Sequence, residues 1–475
     1  MPERQGAAVP GKAKPETSFD AVVVGAGPAG SAAAIALARE GRSVCLVERG
    51  PFPGSKNLFG GVIYPRVLDG LVPTWRSEAP FERVVTRRAT MVLTDSQSLS
   101  VDFRSTAWGQ EPYNGMTATR ARFDSWLAGK AVEAGAVLLE STTVTGLLRE
   151  ARGGAVVGVR TDRPGGYRPG GDRPGGDRPG GDRPGGDRPG GEIEAGAVVA
   201  CDGVNAFLAR EAGCAGEPDS SHFTLGVKEV LALPSEEIER RFGLGEGEGA
   251  DFEVLGGTGG VPGGGFIYTN HDTVSVGLVL SLPGLKSSGR RPEELLAGFK
   301  AHPAIAPLVA GGDIVEFGAH LIPEAGVEMM PRLAAGGFLV AGDAAGMCLA
   351  AGIFLEGVNF ALSSGAAAGD AVVEALKKGD MSEAFLRRAY TKRLEEGFVL
   401  ADLRKLRRLP HLVLSERAQA HYAEVACNVA EQLLTVANPV PKAGLIGLTR
   451  RELRRSKVKM RHVAADALTL LRSLG

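Results

Sequence analysis

Three glycines at the end of an apolar run have the types and spacing to hold a dinucleotide. Gly25, Gly27 and Gly30 form a G-x-G-x-x-G motif. In such a motif the first glycine permits a tight turn, the second lets the backbone approach a pyrophosphate, and the third allows a helix to pack closely on a strand. A helix would begin at about Ala29, and its first N–H groups can stabilise phosphate charge. Pro28 and Ala29 are therefore candidate cofactor contacts as well.

An acidic residue follows at the distance expected for a ribose contact. The pattern predicts a strand over 19–24, a helix over about 29–39 and a second strand over 43–47, which stops at Glu48. A carboxylate there can accept hydrogen bonds from ribose hydroxyls. We therefore predict an α/β protein with a Rossmann-like domain that binds a dinucleotide. A glycine-rich turn without a ligand is the alternative.

Three later segments favour FAD as the dinucleotide. Two of them are strand ends with an Asp-Gly or a Gly-Asp turn, and the Gly-Asp turn resembles the second half of the FAD site in glutathione-reductase-like, two-dinucleotide flavoproteins. The third resembles the helix start under the flavin pyrimidine, where N–H groups would stabilise the negative charge of a reduced flavin. The candidate contacts in these segments are Asp202, Gly342, Asp343, Gly357, Val358 and Asn359.

Composition excludes several other classes. The 475 residues carry 54 Lys and Arg against 55 Asp and Glu, which argues against a basic nucleic-acid binder. None of the five cysteines has C-x-x-C spacing, so a disulfide scaffold, a zinc ribbon and a self-contained four-cysteine iron–sulfur motif are not expected. The histidines show no metal spacing and no nucleophile elbow occurs. We therefore expect flavin-mediated chemistry without a catalytic side chain or a metal.

A five-residue repeat interrupts the chain. Residues 163–192 read RPGGY, four RPGGD units and RPGGE. With few apolar side chains to bury, this segment predicts a disordered loop between two strands, 155–159 and 193–200. Residues 1–18 are interpreted as a disordered leader on a cytoplasmic protein. No apolar run is long enough to predict a membrane-spanning helix.

The remaining pattern predicts three regions. The FAD-binding domain is discontinuous and an antiparallel-sheet substrate or partner domain is inserted into it, because strand-like runs over 224–231, 266–268 and 274–280 alternate with glycine turns, with 90–101 joining them. The basic C-terminal region is helical. The predicted ranges are 19–85, 106–215 and 318–375 for the FAD domain, 86–105 and 216–317 for the sheet domain, and 376–475 for the helical region.

The C-terminal region is strongly basic, with 20 Lys and Arg against 10 Asp and Glu. Thr449 and Glu452 have capping-box spacing, which predicts a helix start there. Behind it runs an apolar stripe: Leu453, Met460, Ala464, Ala467, Leu471 and Leu474. The alternatives are a helix packed on the core with solvated basic faces, or a face that docks on an anionic membrane surface or an acidic redox partner.

Strings along most of the chain resemble the FixC-type flavoproteins, relatives of electron-transfer flavoprotein–quinone oxidoreductase within the geranylgeranyl-reductase-like FAD superfamily. The strings are ERG at 48–50, PGSKN at 53–57, GG at 60–61, RARFDSWL at 120–127, GVKE at 226–229, GGGFIYTN at 263–270, HPAIAPL at 302–308, PEAG at 323–326 and AGDAAGMC at 341–348.

The resemblance implies further contacts with FAD. Arg49, Arg120 and the glycines Gly60 and Gly61 would belong to the cofactor site, and Lys56 and Asn57 would lie near the isoalloxazine ring. From its residue type alone, Arg120 is a cation that can meet a phosphate. A solvated surface position is the alternative for both Lys56 and Arg120.

The resemblance also implies partners. FAD would accept electrons from a reduced electron-transfer flavoprotein and pass them to a quinone, at the inner face of the cell membrane. Cys427 is the last cysteine of the printed sequence and no cluster motif follows it, so any iron–sulfur centre is expected on a separate ferredoxin-like subunit. The alternatives are a prenyl-lipid (geranylgeranyl) reductase, a flavin monooxygenase, and a subunit that holds FAD only for stability or docking.

Overall fold

The computed structural model describes residues 18–56, 60–151, 154–162, 191–352, 355–456 and 458–474. The predicted leader lies outside the described residues except for Ser18, and the predicted repeat loop except for Gly191 and Glu192. All three of these residues lie in strands, so both predicted segments extend too far. Asn57 also lies outside the described residues.

Strands make up two large sheets and one small hairpin. In chain order they are β1 (Ser18–Val24), β2 (Val44–Val47), β3 (Gly61–Ile63), β4 (Val84–Leu93), β5 (Ser98–Arg104), β6 (Met116–Ala118), β7 (Val137–Leu139), β8 (Thr143–Arg149), β9 (Val156–Asp162), β10 (Gly191–Ala200), β11 (Phe223–Ala232), β12 (Glu248–Leu255), β13 (Gly263–Thr269), β14 (Thr273–Ser281), β15 (Asp313–Pro323), β16 (Ala334–Ala335), β17 (Phe338–Val340), β18 (Leu349–Ala350) and β19 (Leu355–Glu356).

Helices pack on both large sheets and make up most of the C-terminal region. In chain order they are α1 (Pro28–Arg39), α2 (Leu68–Leu71), α3 (Trp75–Glu78), α4 (Arg120–Glu133), α5 (Phe207–Glu211), α6 (Ser235–Phe242), α7 (Leu282–Ser288), α8 (Pro292–Ala301), α9 (Ala306–Val309), α10 (Val358–Lys378), α11 (Glu383–Glu396), α12 (Phe398–Leu406), α13 (Leu409–Val413), α14 (Ala423–Leu434), α15 (Leu445–Arg455) and α16 (Met460–Leu474).

The eight-stranded sheet has a parallel centre in the order β17-β10-β1-β2-β7, with β16 antiparallel at one edge. Its central strands are short apolar runs that are buried from end to end over much of their length, as in β2, which is typical of parallel strands covered on both faces. The β1–α1–β2 unit follows the predicted order, and Glu48 comes directly after β2. The carboxyl ends of β1, β2, β10 and β17 therefore meet at one edge.

Helices α1 and α10 pack closely against each other beside this edge. A Cβ atom added at Gly365 would lie 2.0 Å from the Ala29 carbonyl oxygen, and one at Gly369 would lie 2.7 Å from the Ala33 oxygen. Both distances are too short for a side chain to be accommodated, so the two glycines of α10 allow the helix backbones to touch.

The strands on either side of the repeat pair as a hairpin. β9 and β10 are antiparallel, with Thr161 opposite Gly191, and β8 adds to the free edge of β9. The two strands that flank the predicted repeat loop therefore lie side by side in the sheet.

The nine-stranded sheet has the order β15-β11-β14-β13-β12-β4-β6-β3, with β5 on β4. Its pairs are antiparallel except that β12 runs parallel to β4. It recruits β3 and β6, which we predicted for the FAD domain, and the predicted boundaries after residues 85 and 317 fall inside β4 and β15. These boundaries were misplaced because pairing between distant strands decides to which sheet a segment belongs, and composition does not reveal that pairing.

The two faces of the nine-stranded sheet differ in polarity. One face is apolar and packs under α6, α8 and α9, through residues such as Phe252, Ile267 and Phe299. The opposite face, which looks toward the carboxyl edge of the eight-stranded sheet, carries Arg88, Asp251, Glu253, Tyr268, Lys228, Glu316 and His320 in neighbouring register.

The C-terminal region is helical, but its details differ from the prediction. Helix α15 begins at Leu445 with Gly444 as its N-cap, so Thr449 lies inside the helix, where its hydroxyl donates to the Leu445 carbonyl. The capping-box interpretation was wrong because apolar residues upstream of Thr449 extend the helix. The stripe is divided between α15 and α16, and Met460 and Leu471 are exposed. Among the described helices, none is both long and apolar enough to cross a bilayer.

Candidate functional site

The converging strand ends open on a cavity of about 380 Å³, within the range of small-molecule sites. Its lining comes from the turns after β1, β2, β10 and β17, the start of α10, and β15 of the nine-stranded sheet. Fourteen of the predicted site residues line it: Gly25, Gly27, Pro28, Ala29, Glu48, Arg49, Lys56, Gly60, Gly61, Arg120, Asp202, Asp343, Gly357 and Val358. Gly30, Gly342 and Asn359 lie outside the lining.

The three motif glycines have different roles. Gly25 has φ +98°, and a Cβ there would lie 2.3 Å from the Cys201 carbonyl oxygen; a Cβ at Gly30 would lie 1.8 Å from the Gly25 oxygen. The fold itself therefore requires both glycines. At Gly27 an added Cβ would meet only the Arg120 Nη2, at 3.7 Å. The protein has room for a methyl group there, so Gly27 leaves cavity space that a bound group can fill.

Glu48 is fixed by the backbone that surrounds it. One carboxylate oxygen accepts from the Ala26 N–H at 3.1 Å and the other from the Gly50 N–H at 2.6 Å. The residue is buried yet lines the cavity. A carboxylate held in this way keeps lone pairs for further donors, such as the hydroxyls of a ribose.

Two helices begin at the cavity without a side-chain cap. The N-cap residues are Gly27 for α1 and Gly357 for α10, and neither has a side chain to accept the first N–H groups. Their partial positive charge therefore faces the cavity, where it suits a pyrophosphate or an anionic ring. Gly342 lies just behind, with φ +66° and its N–H donating to Ser364 Oγ.

Two of the predicted site residues, Asp202 and Asn359, each keep a buried oxygen without a partner among the described residues. Asp202 Oδ2 accepts from the Leu208 N–H, while its Oδ1 has no hydrogen bond. Asn359 donates to Glu356 Oε2 at 2.6 Å, while its own Oδ1 has none. Burial of such atoms costs free energy, so the arrangement suits a ligand that donates hydrogen bonds, such as the hydroxyl-rich ribityl part of a flavin.

Arg120 lies in the cavity but is held by a neighbour. Its guanidinium makes two bonds to Asp124, of 2.7 and 2.8 Å, one turn along α4. This bidentate pair fixes the cation's orientation and leaves part of it toward the cavity. Burial raises the pKa of Asp343, and the Arg120 charge opposes that increase.

The predicted cations after β2 line the cavity from its exposed side. Arg49 and Lys56 are both exposed. The backbone turns back at Gly60, where an added Cβ would lie 2.3 Å from the Ala118 carbonyl, whereas Gly61 has open space. The Lys56 ammonium is thus available to a ligand or to solvent.

Sequence patterns missed several lining residues. His320 enters the cavity from β15, and burial, followed by the charges of Arg120 and Arg49, lowers its pKa, so the imidazole is neutral near pH 7. Thr142 and Cys348 also line the cavity, and burial raises the pKa of the Cys348 thiol. For His320 only the register of β15 on β11, which brings it opposite Gly226, could have given the signal.

Comparison with known proteins shows the family to which the chain belongs. A family model described as FAD dependent oxidoreductase matches residues 20–168. The chain is 38% identical over 443 residues to a protein named FixC from Salmonella typhi, covering 93% of this chain and 95% of that one. It is 35% identical over 422 residues to the probable electron transfer flavoprotein-quinone oxidoreductase YdiS of Escherichia coli strain K12, covering 89% and 91% respectively.

A solved structure of lower sequence identity shows a similar fold. It is a geranylgeranyl bacteriochlorophyll reductase-like protein from Thermoplasma acidophilum, with a TM-score of 0.68 and 18% identity, covering 92% of this chain and 99% of that one. This likeness shows the mixed α/β fold. The family match and the flavoprotein relatives make FAD the cofactor. The space at Gly27, the two uncapped helices and the unpartnered oxygens of Asp202 and Asn359 fit it.

Proposed function

Because the chain belongs to the FixC family of flavoproteins, we propose that it takes electrons from a reduced electron-transfer flavoprotein and passes them to a quinone, with or through a separate ferredoxin-like subunit. Its relatives share the broader role of an FAD-dependent oxidoreductase in electron transfer. The similarity to YdiS over 89% of the chain is the observation that supports this donor and this acceptor.

The site supports a role in which the cofactor does the redox chemistry. When bound, FAD supplies reversible two-electron chemistry. The residues of the chain bind and orient it: Gly27 and Gly357 present helix N-termini, and Glu48 presents a fixed carboxylate. We propose that the remaining predicted lining residues contact FAD as well, and that Asn57 does so from outside the described residues.

A separate iron–sulfur partner is consistent with the cysteines. Cys45, Cys201, Cys214 and Cys427 are buried, and Cys348 is partly buried. In the described ranges, no three His, Cys, Asp or Glu side chains are grouped so that they could hold a metal ion. If electrons pass through an iron–sulfur centre, a ferredoxin-like subunit would supply its ligands.

The C-terminal helices support a peripheral contact with the inner face of the cell membrane. Ile446 of α15 and Leu471 of α16 are 70% and 69% exposed, unusual for large apolar side chains. Helix α15, which carries Ile446, also presents Arg450, Arg454 and Arg455. Apolar side chains next to arginines suit an anionic lipid surface.

An anaerobic stopped-flow experiment tests the redox proposal. The FAD-loaded protein is mixed with a reduced electron-transfer flavoprotein from the same source, and a short-chain quinone is added afterwards. We expect the flavin absorbance to bleach and then to recover with the quinone; the donor mixed with quinone alone is the control. A flavin that stays oxidised with this donor but is bleached by NAD(P)H alone contradicts the proposal and favours a prenyl-lipid reductase or a monooxygenase.

Co-sedimentation with phospholipid vesicles tests the membrane contact. We expect the protein to bind anionic vesicles and not neutral ones, and Ile446→Glu to weaken that binding severalfold. Val101→Glu, an equally exposed position on β5, is the matched control. Equal sedimentation of the protein and Ile446→Glu contradicts the membrane contact.

A further inference from the structure

A pair of acids lies on the polar face of the nine-stranded sheet. Asp251 and Glu253 are two residues apart on β12, so their side chains leave the same face. Both side chains are about nine-tenths buried, with 10% of their surface exposed. Buried carboxyl groups are rare unless they are paired, so their position calls for a physical reason.

One arginine serves both acids. Arg88 of β4 lies beside β12 and directly opposite Asp251. Its Nε is 3.3 Å from Asp251 Oδ2, and its Nη2 donates to Glu253 Oε1 at 2.6 Å. If both acids were ionised, a single positive charge would face two negative charges in a buried place. Such a cluster is most stable when the two acids retain one proton between them.

The titration of the pair agrees with this charge balance. Burial, reinforced by the neighbouring Asp251, raises the pKa of Glu253 to about 8, although Arg88 opposes the shift. Burial also raises the pKa of Asp251, again against the attraction of Arg88. Near neutral pH the pair therefore holds a proton that ordinary carboxyl groups would have lost.

The pair borders the cofactor cavity. Tyr268, opposite Asp251 on β13, donates its hydroxyl to the carbonyl of Gly60, which lines the cavity. Tyr64 follows β3, whose residues also line the cavity. Burial raises the pKa of its phenol, and the charges of Arg88, Asp251 and Glu253 also act on that pKa. The acids therefore neighbour two tyrosines, of which Tyr268 is hydrogen-bonded to a residue that lines the cavity and Tyr64 directly follows one.

We propose that Asp251 and Glu253, bridged by Arg88, are a buried proton store for the acceptor that is reduced at this site. The inference rests on the proposed function, because reduction of a quinone to its hydroquinone takes two electrons and two protons. If the reduced cofactor is bound in its anionic form, which the two uncapped helix N-termini favour, it would supply two electrons and one proton. The second proton leaves the acid pair for the quinone oxygen, and solvent returns it to the pair afterwards.

Other charged and titratable groups surround the pair on the neighbouring elements. They are Arg88 of β4, Tyr64 after β3, Tyr268 of β13, and Glu356 of β19, with Glu82, Lys228 and Glu316 farther along the same side of the sheet. Glu356 itself has a pKa raised by burial. Because Arg88 is the cation in contact with both acids, the charge of the pair depends chiefly on it.

The test compares two oxidants in the oxidative half-reaction. The FAD-loaded protein is reduced photochemically without oxygen and mixed with either a short-chain quinone, which takes up protons, or ferricenium, which takes up only electrons. We expect Glu253→Gln to slow reoxidation by the quinone by about 100-fold, the order expected when a general acid is removed, and to leave reoxidation by ferricenium unchanged. Asp251→Asn gives a second variant should Glu253→Gln not fold.

A matched control lies on the opposite face of the same sheet. Glu229 of β11 is also buried and pairs with Lys300, and we expect Glu229→Gln to react with both oxidants like the unmodified protein. If Glu253→Gln keeps the quinone rate, or if both oxidants slow equally, the proton store is refuted. If the unmodified protein reacts with ferricenium but not with the quinone, the proposed function fails instead, and the inference falls with it.

Infrared difference spectroscopy gives a readout independent of turnover. A carboxyl group protonated near pH 7 has a carbonyl stretch that shifts in D₂O. We expect the FAD-loaded protein to show this band, Glu229→Gln to retain it, and Glu253→Gln to lose it or reduce it. A spectrum unchanged by Glu253→Gln would overturn the assignment of the proton.

Discussion

The two sheets place their functional groups in different ways. The eight-stranded sheet is apolar along its central strands and offers its functional groups only where strands end, through turns, helix N-termini and Glu48. The nine-stranded sheet is largely apolar on one face, and its other face carries charged side chains in the middle of strands, such as Arg88 and Asp251. The first arrangement uses backbone geometry, whereas the second uses side-chain chemistry.

In the proposed function, this difference separates the groups that hold the cofactor from the groups that supply protons to the acceptor. Backbone N–H groups and helix dipoles do not titrate, so they bind phosphate equally at any physiological pH. Carboxyl groups on a sheet face can gain and lose protons. Mutations at the strand ends should therefore act on folding and on cofactor affinity, and mutations on the polar face should act on pH dependence.

The largest effect is expected for Gly30→Ala. The new Cβ would lie 1.8 Å from the Gly25 carbonyl oxygen and 3.3 Å from Val23 Cγ1. Because the close atom belongs to the backbone, the turn and α1 must separate, and we expect a loss of at least about 3 kcal/mol in the free energy of unfolding. Soluble yield and thermal unfolding of the purified protein measure it; an unchanged Tm would contradict the close packing.

Gly27→Ala should have a different effect although it lies three residues away. The protein itself leaves room for the methyl group, so we expect the Tm of the FAD-free protein to stay within about 2 °C. The methyl group would occupy space beside the first N–H groups of α1, and we expect the Kd for FAD to rise at least about tenfold. Quenching of FAD fluorescence measures it, and an unchanged Kd would remove Gly27 from the cofactor site.

The smallest effect concerns stability against pH. Between about pH 4.5 and pH 8 the folded protein binds more protons at Glu253 than the unfolded chain does, because burial raises the pKa in the folded state to about 8. This contribution to stability is fully present below about pH 4.5 and is lost as the pH rises through 8. We expect the Tm of the unmodified protein to fall between pH 6 and pH 9. Over the same interval the Tm of Glu253→Gln should fall by at least about 2 °C less. Glu229→Gln should follow the unmodified protein, and identical slopes in all three would contradict the prediction.

The sequence could predict the strand–turn–helix segments that meet at the cavity because their signals are local. The glycine motif, Glu48 and the Gly342–Asp343 turn each lie within a few residues of the strand that positions them. Local signals of this kind depend on backbone geometry that a short segment determines by itself. The same reasoning failed at Thr449, where apolar residues upstream extend the helix beyond the capping-box pattern.

The polar face could not be predicted because it depends on pairing between distant segments. Arg88 meets Asp251 only through the register of β4 on β12, and His320 reaches the cavity only through the register of β15 on β11. A shift of one residue in either register would turn these side chains to the apolar face. No pattern within a single strand specifies that register.

The contact between α1 and α10 has a consequence for the speed of electron exchange. Because Gly365 and Gly369 hold the two helices backbone to backbone, the dipoles whose N-termini lie at the cavity cannot reorient independently. An environment of fixed dipoles responds little when the charge it surrounds changes. The reorganisation energy of each electron transfer should therefore be small, which favours rapid exchange with donors and acceptors whose potentials differ only slightly from that of the flavin.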